Sequence, residues 1–178
     1  MNIKLLAAAI LTLTVSSTMA EPSHRTKVKF GDEEVELKFS NAGTGDRQQE
    51  LMDATNAATN PVEQERFWRM RWEEFGDATA LQSLAMYHLD RGDYMSAYAH
   101  LYAVDKIAKW YTNTVTPDFK PAPGAGTYQP AGPVLKQIFA GIEAQMNRVG
   151  EELTASQRAQ GVRLAAKLVR DNPNCCAW

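Results

Sequence analysis

Residues 80–111, ALQSLAMYHLDRGDYMSAYAHLYAVDKIAKWY, decide how the rest of the chain is arranged. Leu81, Leu84, Ala85 and Leu89 recur at helical spacing before Arg91-Gly92-Asp93, and Tyr94, Ala97, Tyr98, Leu101, Val104, Ile107, Ala108 and Tyr111 form one stripe at steps of three and four after it. Gly92 suits the left-handed backbone that closes a helix, and Asp93 is placed to accept from the amides that open the next. The spacing predicts two antiparallel helices folded together across a tight turn.

Outward from this hairpin, the same signals recur. Asn60-Pro61 reads as a cap followed by proline at the first helical position, opening a helix through Phe75 that Gly76 stops. In it Phe67, Trp68, Met70, Trp72 and Phe75 spread around the surface, the pattern of an inner helix touching neighbours on two sides. Asp77 is the expected cap of the first hairpin helix. A thinner stripe, Leu51, Ala54, Ala57 and Ala58, predicts a helix from about Asp46 to Thr59. Near the end, Leu135, Ile138, Phe139, Ile142, Met146 and Val149 make a clean stripe up to Gly150. Thr154 and Gln157 then form a capping-box signature for a last helix with Val162, Ala165, Leu168 and Val169 inward. These two make a second hairpin. The fold class predicted is mainly α, about six helices as antiparallel hairpins, with a short N-terminal β-hairpin.

That β-hairpin occupies residues 26–39. Val28 and Phe30 share one face, Val35, Leu37 and Phe39 share another beyond Gly31-Asp32-Glu33-Glu34, and Lys27, Lys29, Glu36 and Lys38 lie opposite. An isolated two-stranded ribbon is marginal in water, so its apolar side is expected against the chain's own helices; strand addition to a partner is the alternative.

Residues 1–20 carry Lys4, an apolar run from Leu5 to Val15, and small residues Thr18 and Ala20 before Glu21. This is the layout of a cleavable export signal, too short for a typical membrane span. No cysteine follows at a lipidation position, so a soluble periplasmic or secreted product is expected. What remains of 178 residues suits one domain. The net charge of −2, one unit more negative without Lys4, argues against nucleic acid or an anionic membrane surface as the main partner. The expected boundaries are 1–20 signal, 21–45 hairpin and linker, 46–172 helical domain, and 173–178 tail.

Within the helical domain, residues 112–133 hold five prolines, three glycines and no helical period. They predict an arm whose aromatic anchors, Phe119 and Tyr128, either pin it to the body or insert into a partner. The tail holds both cysteines, Cys175 and Cys176. Adjacent Cα atoms lie about 3.8 Å apart, below the usual disulfide range. A dimer linked through Cys175 or Cys176, or two free thiols, are therefore expected beside a strained bond between them.

The run Leu84-Ala85, Gly92-Asp93-Tyr94, Ala97 resembles one tetratricopeptide repeat unit, and Leu153-Thr154-Ala155-Ser156-Gln157-Arg158 with Arg163-Leu164-Ala165 resembles the closing helix of SEL-like bacterial repeat proteins. His88, Leu89 and Val104 depart from the usual repeat residues. The resemblance implies a concave peptide groove lined by Thr79, Gln82, Met86 and Asp90, with Leu89. Against it stands the reading in which the Trp68/Trp72 helix covers that face as core.

Catalytic signatures are sparse. There is no glycine-elbow serine, no phosphate-cradling glycine loop and no HExxH, and carboxylates are scattered over solvated faces. His88 and His100 have no ligand at a recognised spacing, so they are read as interhelical polar contacts, with neither metal nor cofactor expected. Arg66, Arg69 and Arg71 interleave with tryptophans; they could bind a carboxylate, glycan or base, but pairing with Glu63, Glu65, Glu73 and Glu74 is the plainer expectation. The function expected is an exported protein-binding module or adaptor for another envelope protein. The alternatives are an immunity-type inhibitor of a toxin acting in the periplasm and a small enzyme on envelope glycans.

Overall fold

The computed structural model describes residues 24–39, 46–110 and 132–176. The expected signal, most of the linker, nearly all of the arm including Phe119 and Tyr128, and residues 177–178 lie outside the described residues.

Strands β1 (His24–Phe30) and β2 (Glu33–Phe39) pair antiparallel, Val28 opposite Val35 and Lys27 opposite Glu36. The turn is Gly31-Asp32 alone, shorter than the loop read from the sequence, because Glu33 and Glu34 pair with Phe30 and Lys29. That register brings Val28, Phe30, Val35 and Leu37 to one common face instead of two. Phe30, Val35 and Leu37 are buried in the same core as Leu81, Val104, Ala165 and Val169, so the ribbon's apolar side is covered by the chain's own helices. Lys27, Lys29 and Glu36 face outward.

Six helices follow among the described residues: α1 (Asp46–Ala57), α2 (Pro61–Phe75), α3 (Ala78–Leu89), α4 (Tyr94–Trp110), α5 (Gly132–Glu151) and α6 (Ala155–Arg170). The molecule is mainly helical with a short N-terminal ribbon, as the patterning predicts. Local chemistry sets the helix ends. The Asn60 side chain accepts from the Val62 N–H at 2.9 Å ahead of Pro61. Thr154 and Gln157 make both halves of a capping box. Gly92 takes φ 72° at the α3–α4 corner, and Asp93 accepts from the Ser96 N–H at 3.1 Å.

Helix α2 touches α1 on one side and α3 on another, as its spread aromatics predict, but the most deeply buried helix is α4. In α2 only Trp72 is buried, whereas α4 buries Ala97 through Leu101, Ala103, Val104, Asp105, Ile107, Ala108 and Trp110. Four of these are alanines, which let α3, α5 and α6 approach α4 from different sides. Tyr94, at the start of the predicted stripe, is instead 42% exposed. Helices α5 and α6 are joined by a short turn, yet each rests chiefly on α4. A second cluster of Ala85, Ala97, Leu101, Met146, Val149 and Leu153 joins the first through Tyr102 and Val162.

Residues 172–176 return to the body. The Asn172 side-chain amide donates to the Trp72 carbonyl at 2.6 Å, that of Asn174 to the Glu73 carbonyl at 2.9 Å, and the Cys176 N–H to the Lys38 carbonyl. Cys175 and Cys176 are bonded to one another and are 2% and 1% exposed. A dimer linked through Cys175 or Cys176 would therefore have to break this bond and bring the linking residue out of the core.

Candidate binding groove

The C-terminal halves of α2 and α6 stand apart, and the space between them is a cavity of about 260 Å³. Arg69, Trp72 and Glu73 form one wall. Leu164, Lys167, Leu168, Asp171 and Asn172 form the other, with Leu84 of α3 and His100 of α4 completing the lining. The walls are held in register at one end, because Asn172, just past α6, bonds the Trp72 carbonyl of α2. Each wall carries a cation and, one helical turn on, an anion: Arg69 and Glu73 on one side, Lys167 and Asp171 on the other.

His100 has a defined state. Its Nδ1 lies 2.7 Å from the Ser96 carbonyl, which accepts only, so Nδ1 carries the proton and Nε2 the lone pair of the neutral ring. Burial keeps it neutral, pushing its pKa down to about 4 against a weaker opposing pull from the Ser96 carbonyl. The ring stacks on His88 with centroids 5.1 Å apart and 28° between planes. Burial also lowers the His88 pKa, opposed by Asp93, whose Oδ2 lies 3.4 Å from Nδ1. The His88 Nε2 is buried without a hydrogen-bond partner among the described residues.

The arginines are mostly committed. Arg69 pairs with Glu65 at 2.6 Å on α2. Arg71 donates to Asp77 at 2.9 and 2.6 Å, and Arg91 lies 3.6 Å over the Tyr87 ring. Lys167 pairs with Asp171 at 3.3 Å, and Asp171 also faces Arg170 at 3.7 Å. Glu73 differs: its carboxylate has no ion-pair or hydrogen-bond partner among the described residues, only its backbone carbonyl being engaged.

None of the five described residues assigned from the resemblance lines this cavity. Thr79 is exposed and tied to Asp77 and Arg71. Gln82 is half-buried and Asp90 is exposed at the end of α3. Met86, 41% exposed, receives the Gln145 amide of α5 at 2.8 Å on its sulfur, and Leu89 packs toward Met146 and Tyr98. Thr79 thus turns toward α2 while Met86 and Leu89 turn toward α5. The residues the structure does gather, His100 with Glu73, Lys167 and Leu168, lie on three helices, and no single-sequence spacing connects them.

No family model matches the chain, and neither a curated protein nor a solved structure matches it.

Among the described residues no three His, Cys, Asp or Glu side chains converge as a metal would require, and no helix is long and apolar enough to cross a membrane. What the groove offers is an apolar lining, charged rims and two open acceptors.

Proposed function

We propose that this chain is an exported protein-recognition module that holds a segment of another envelope protein in the groove between α2 and α6. One observation carries the reading: the cavity joins an apolar lining of Leu84, Leu164 and Leu168 to polar groups that the fold itself leaves open, the Glu73 carboxylate and the neutral His100 ring. Binding sites combine apolar area with a few placed polar groups in this way. The helical-hairpin architecture and the resemblance of residues 84–97 to a tetratricopeptide unit agree with a scaffold that presents a surface. The layout of residues 1–20 supports export, and a mature chain beginning at Glu21 is the expected N-terminal sequence of the secreted product.

The test is site-specific photocrosslinking in cells with the full chain. A crosslinker at Leu168 should trap a discrete partner, one at exposed Val62 should not, and Glu73→Lys should abolish the Leu168 product. Equal products from both positions, or a Leu168 product indifferent to Glu73→Lys, would refute the groove.

A further inference from the structure

We infer that the bond between Cys175 and Cys176 is a site of thiol–disulfide exchange with a dithiol donor, entered through a cavity between β2 and α6, and that its reduction unlatches residues 172–176 from α2 and β2. The inference goes beyond the reading of the groove and does not depend on it. Three observations carry it.

The first is what the bond does not do. Cys175 and Cys176 are the chain's only cysteines, and a link between sequence neighbours encloses no stretch of chain. Structural disulfides stabilise mainly by restricting the unfolded chain, more so as the enclosed loop lengthens, and this one restricts almost none of it. The pair nonetheless sits in the main core, 2% and 1% exposed, in one cluster with Trp72 and Val169. Its effect is therefore on the packing around it.

The second is access. A cavity of about 210 Å³ lies between β2 and α6, lined by Glu36, Lys38, Val169, Arg170 and Asn172, and it reaches Cys175. Cys176 does not line it, so Cys175 carries the sulfur that a donor meets. A thiolate of the donor bonds to Sγ of Cys175 as the bond between the two cysteines breaks, and the electron pair leaves on Sγ of Cys176, which takes up a proton. The donor's second thiolate then attacks its own sulfur in that mixed disulfide and releases Cys175, which is protonated in turn. The tail gains two electrons and two protons, and the dithiol departs as a disulfide.

The third is what the bonded pair holds in place. The Asn172 side chain ties the tail to the Trp72 carbonyl, that of Asn174 to the Glu73 carbonyl, and the Cys176 N–H to the Lys38 carbonyl. Within the tail, the Cys175 N–H donates to the Asn172 carbonyl at 3.2 Å and the Asn174 N–H to the Asn172 side chain at 2.9 Å. Reduction leaves two thiols at van der Waals separation where one bonded pair stood, and a packed interior does not absorb that volume without a shift. On the α2 side there is no slack, since a Cβ on Gly76 would already strike the Asn174 carbonyl. The open side is the cavity, so the tail moves outward and these ties part. Asn172 also lines the groove between α2 and α6, whose end loosens with them.

The experiment treats the folded, full mature chain with dithiothreitol and counts thiols by iodoacetamide alkylation and mass. Before treatment neither cysteine should alkylate; afterwards both should. The reduction rate should rise in proportion to dithiothreitol and be indifferent to urea below the unfolding transition. Lys38→Trp, which fills the mouth of the cavity, should slow it about tenfold, whereas Lys27→Trp on the outward face of the ribbon should not. Hydrogen exchange at the Asn174, Cys175 and Cys176 amides should accelerate about tenfold or more on reduction, while buried α4 amides keep their protection, and reoxidation should restore the slow rates. Two thiols that alkylate before reduction, a rate that levels off at that of global unfolding, or a rate unmoved by Lys38→Trp overturns the inference. So does a reduced chain whose tail amides stay protected, or one whose α4 amides accelerate equally, since the bond would then be either inert or an ordinary staple of the whole fold.

Discussion

Asp77 shows how much one side chain can organise. Its carboxylate accepts from the Thr79 N–H at 2.9 Å and hydroxyl at 2.6 Å, capping α3, and from Arg71 of α2 at 2.9 and 2.6 Å, while only 6% exposed. Replacing it by alanine removes a cap and strands a guanidinium whose side chain is 13% exposed, so Asp77→Ala should cost roughly 3–5 kcal/mol, read from the urea midpoint. Asp77→Asn keeps an acceptor for the cap and should cost less. His100 sets the pH response. Its pKa in the fold is below that of a free histidine, so the unfolded chain binds the extra proton and stability falls as pH drops from about 6.5 toward 4. The full loss is roughly 3 kcal/mol, since the ring is 6% exposed and the pKa stands at about 4. Thermal unfolding of His100→Asn across that window should be much flatter, the remaining slope coming from His88 and, at the acid end, from Glu65, whose pKa values are lowered and so cost stability in the same sense as pH falls. If the two slopes coincide, His100 is not the group that titrates. The cap at Asp77 was legible in sequence because a cap is a local event. An interhelical contact at the two histidines was legible as well, one standing on each helix of the hairpin; the stacking of the rings and the burial that keeps His100 neutral were not, because they arise only once the hairpin closes.

At the scale of elements, the end of α2 is where the molecule is stapled. Gly76 adopts φ 64° and its backbone passes so close to residues 174–175 that a Cβ there would fall on the Asn174 carbonyl. Gly76→Ala therefore meets both an unfavourable backbone region and a steric clash, and should destabilise by about 2 kcal/mol or more. The loss should be local first: hydrogen exchange at the Cys176 amide, which donates to the Lys38 carbonyl, should accelerate before that of buried α4 amides. If exchange at Cys176 matches the wild type, the tail does not depend on that close approach. Gly76 reads in the sequence as a helix stop, and it is one. Its second duty was hidden, since nothing in residues 60–77 announces that the tail returns across them. The α2 aromatics were legible in part: their spread predicts neighbours on two sides, and α1 and α3 do flank the helix, but the alanines of α4 give closer approach and take the centre.

At the scale of the whole molecule, the question is whether the ribbon is an appendage or part of the folding unit. Phe30, Val35 and Leu37 share a buried cluster with Leu81 of α3, Val104 and Ile107 of α4, and Ala165 and Val169 of α6. Arg170 adds an ion pair to Glu33 at 2.7 Å, but both groups are more than one-third exposed, so it contributes little beside the apolar contact. Sequence alternation gave the ribbon and its apolar residues; which helix would cover it depended on α6 returning to β2, a long-range event. Leu37 is fully buried, and Leu37→Ala should cost about 2–5 kcal/mol through lost burial and the cavity left behind. Because the cluster is continuous, that cost should appear everywhere at once. Tryptophan fluorescence, reporting mainly on Trp68, Trp72 and Trp110 in the helices, and far-ultraviolet circular dichroism should move to the same lower denaturant midpoint in a single transition. A tryptophan midpoint that stays at the wild-type value while the ribbon amides lose protection would mean that the helices fold without β1 and β2, and that the shared core is only a contact between two separately stable parts.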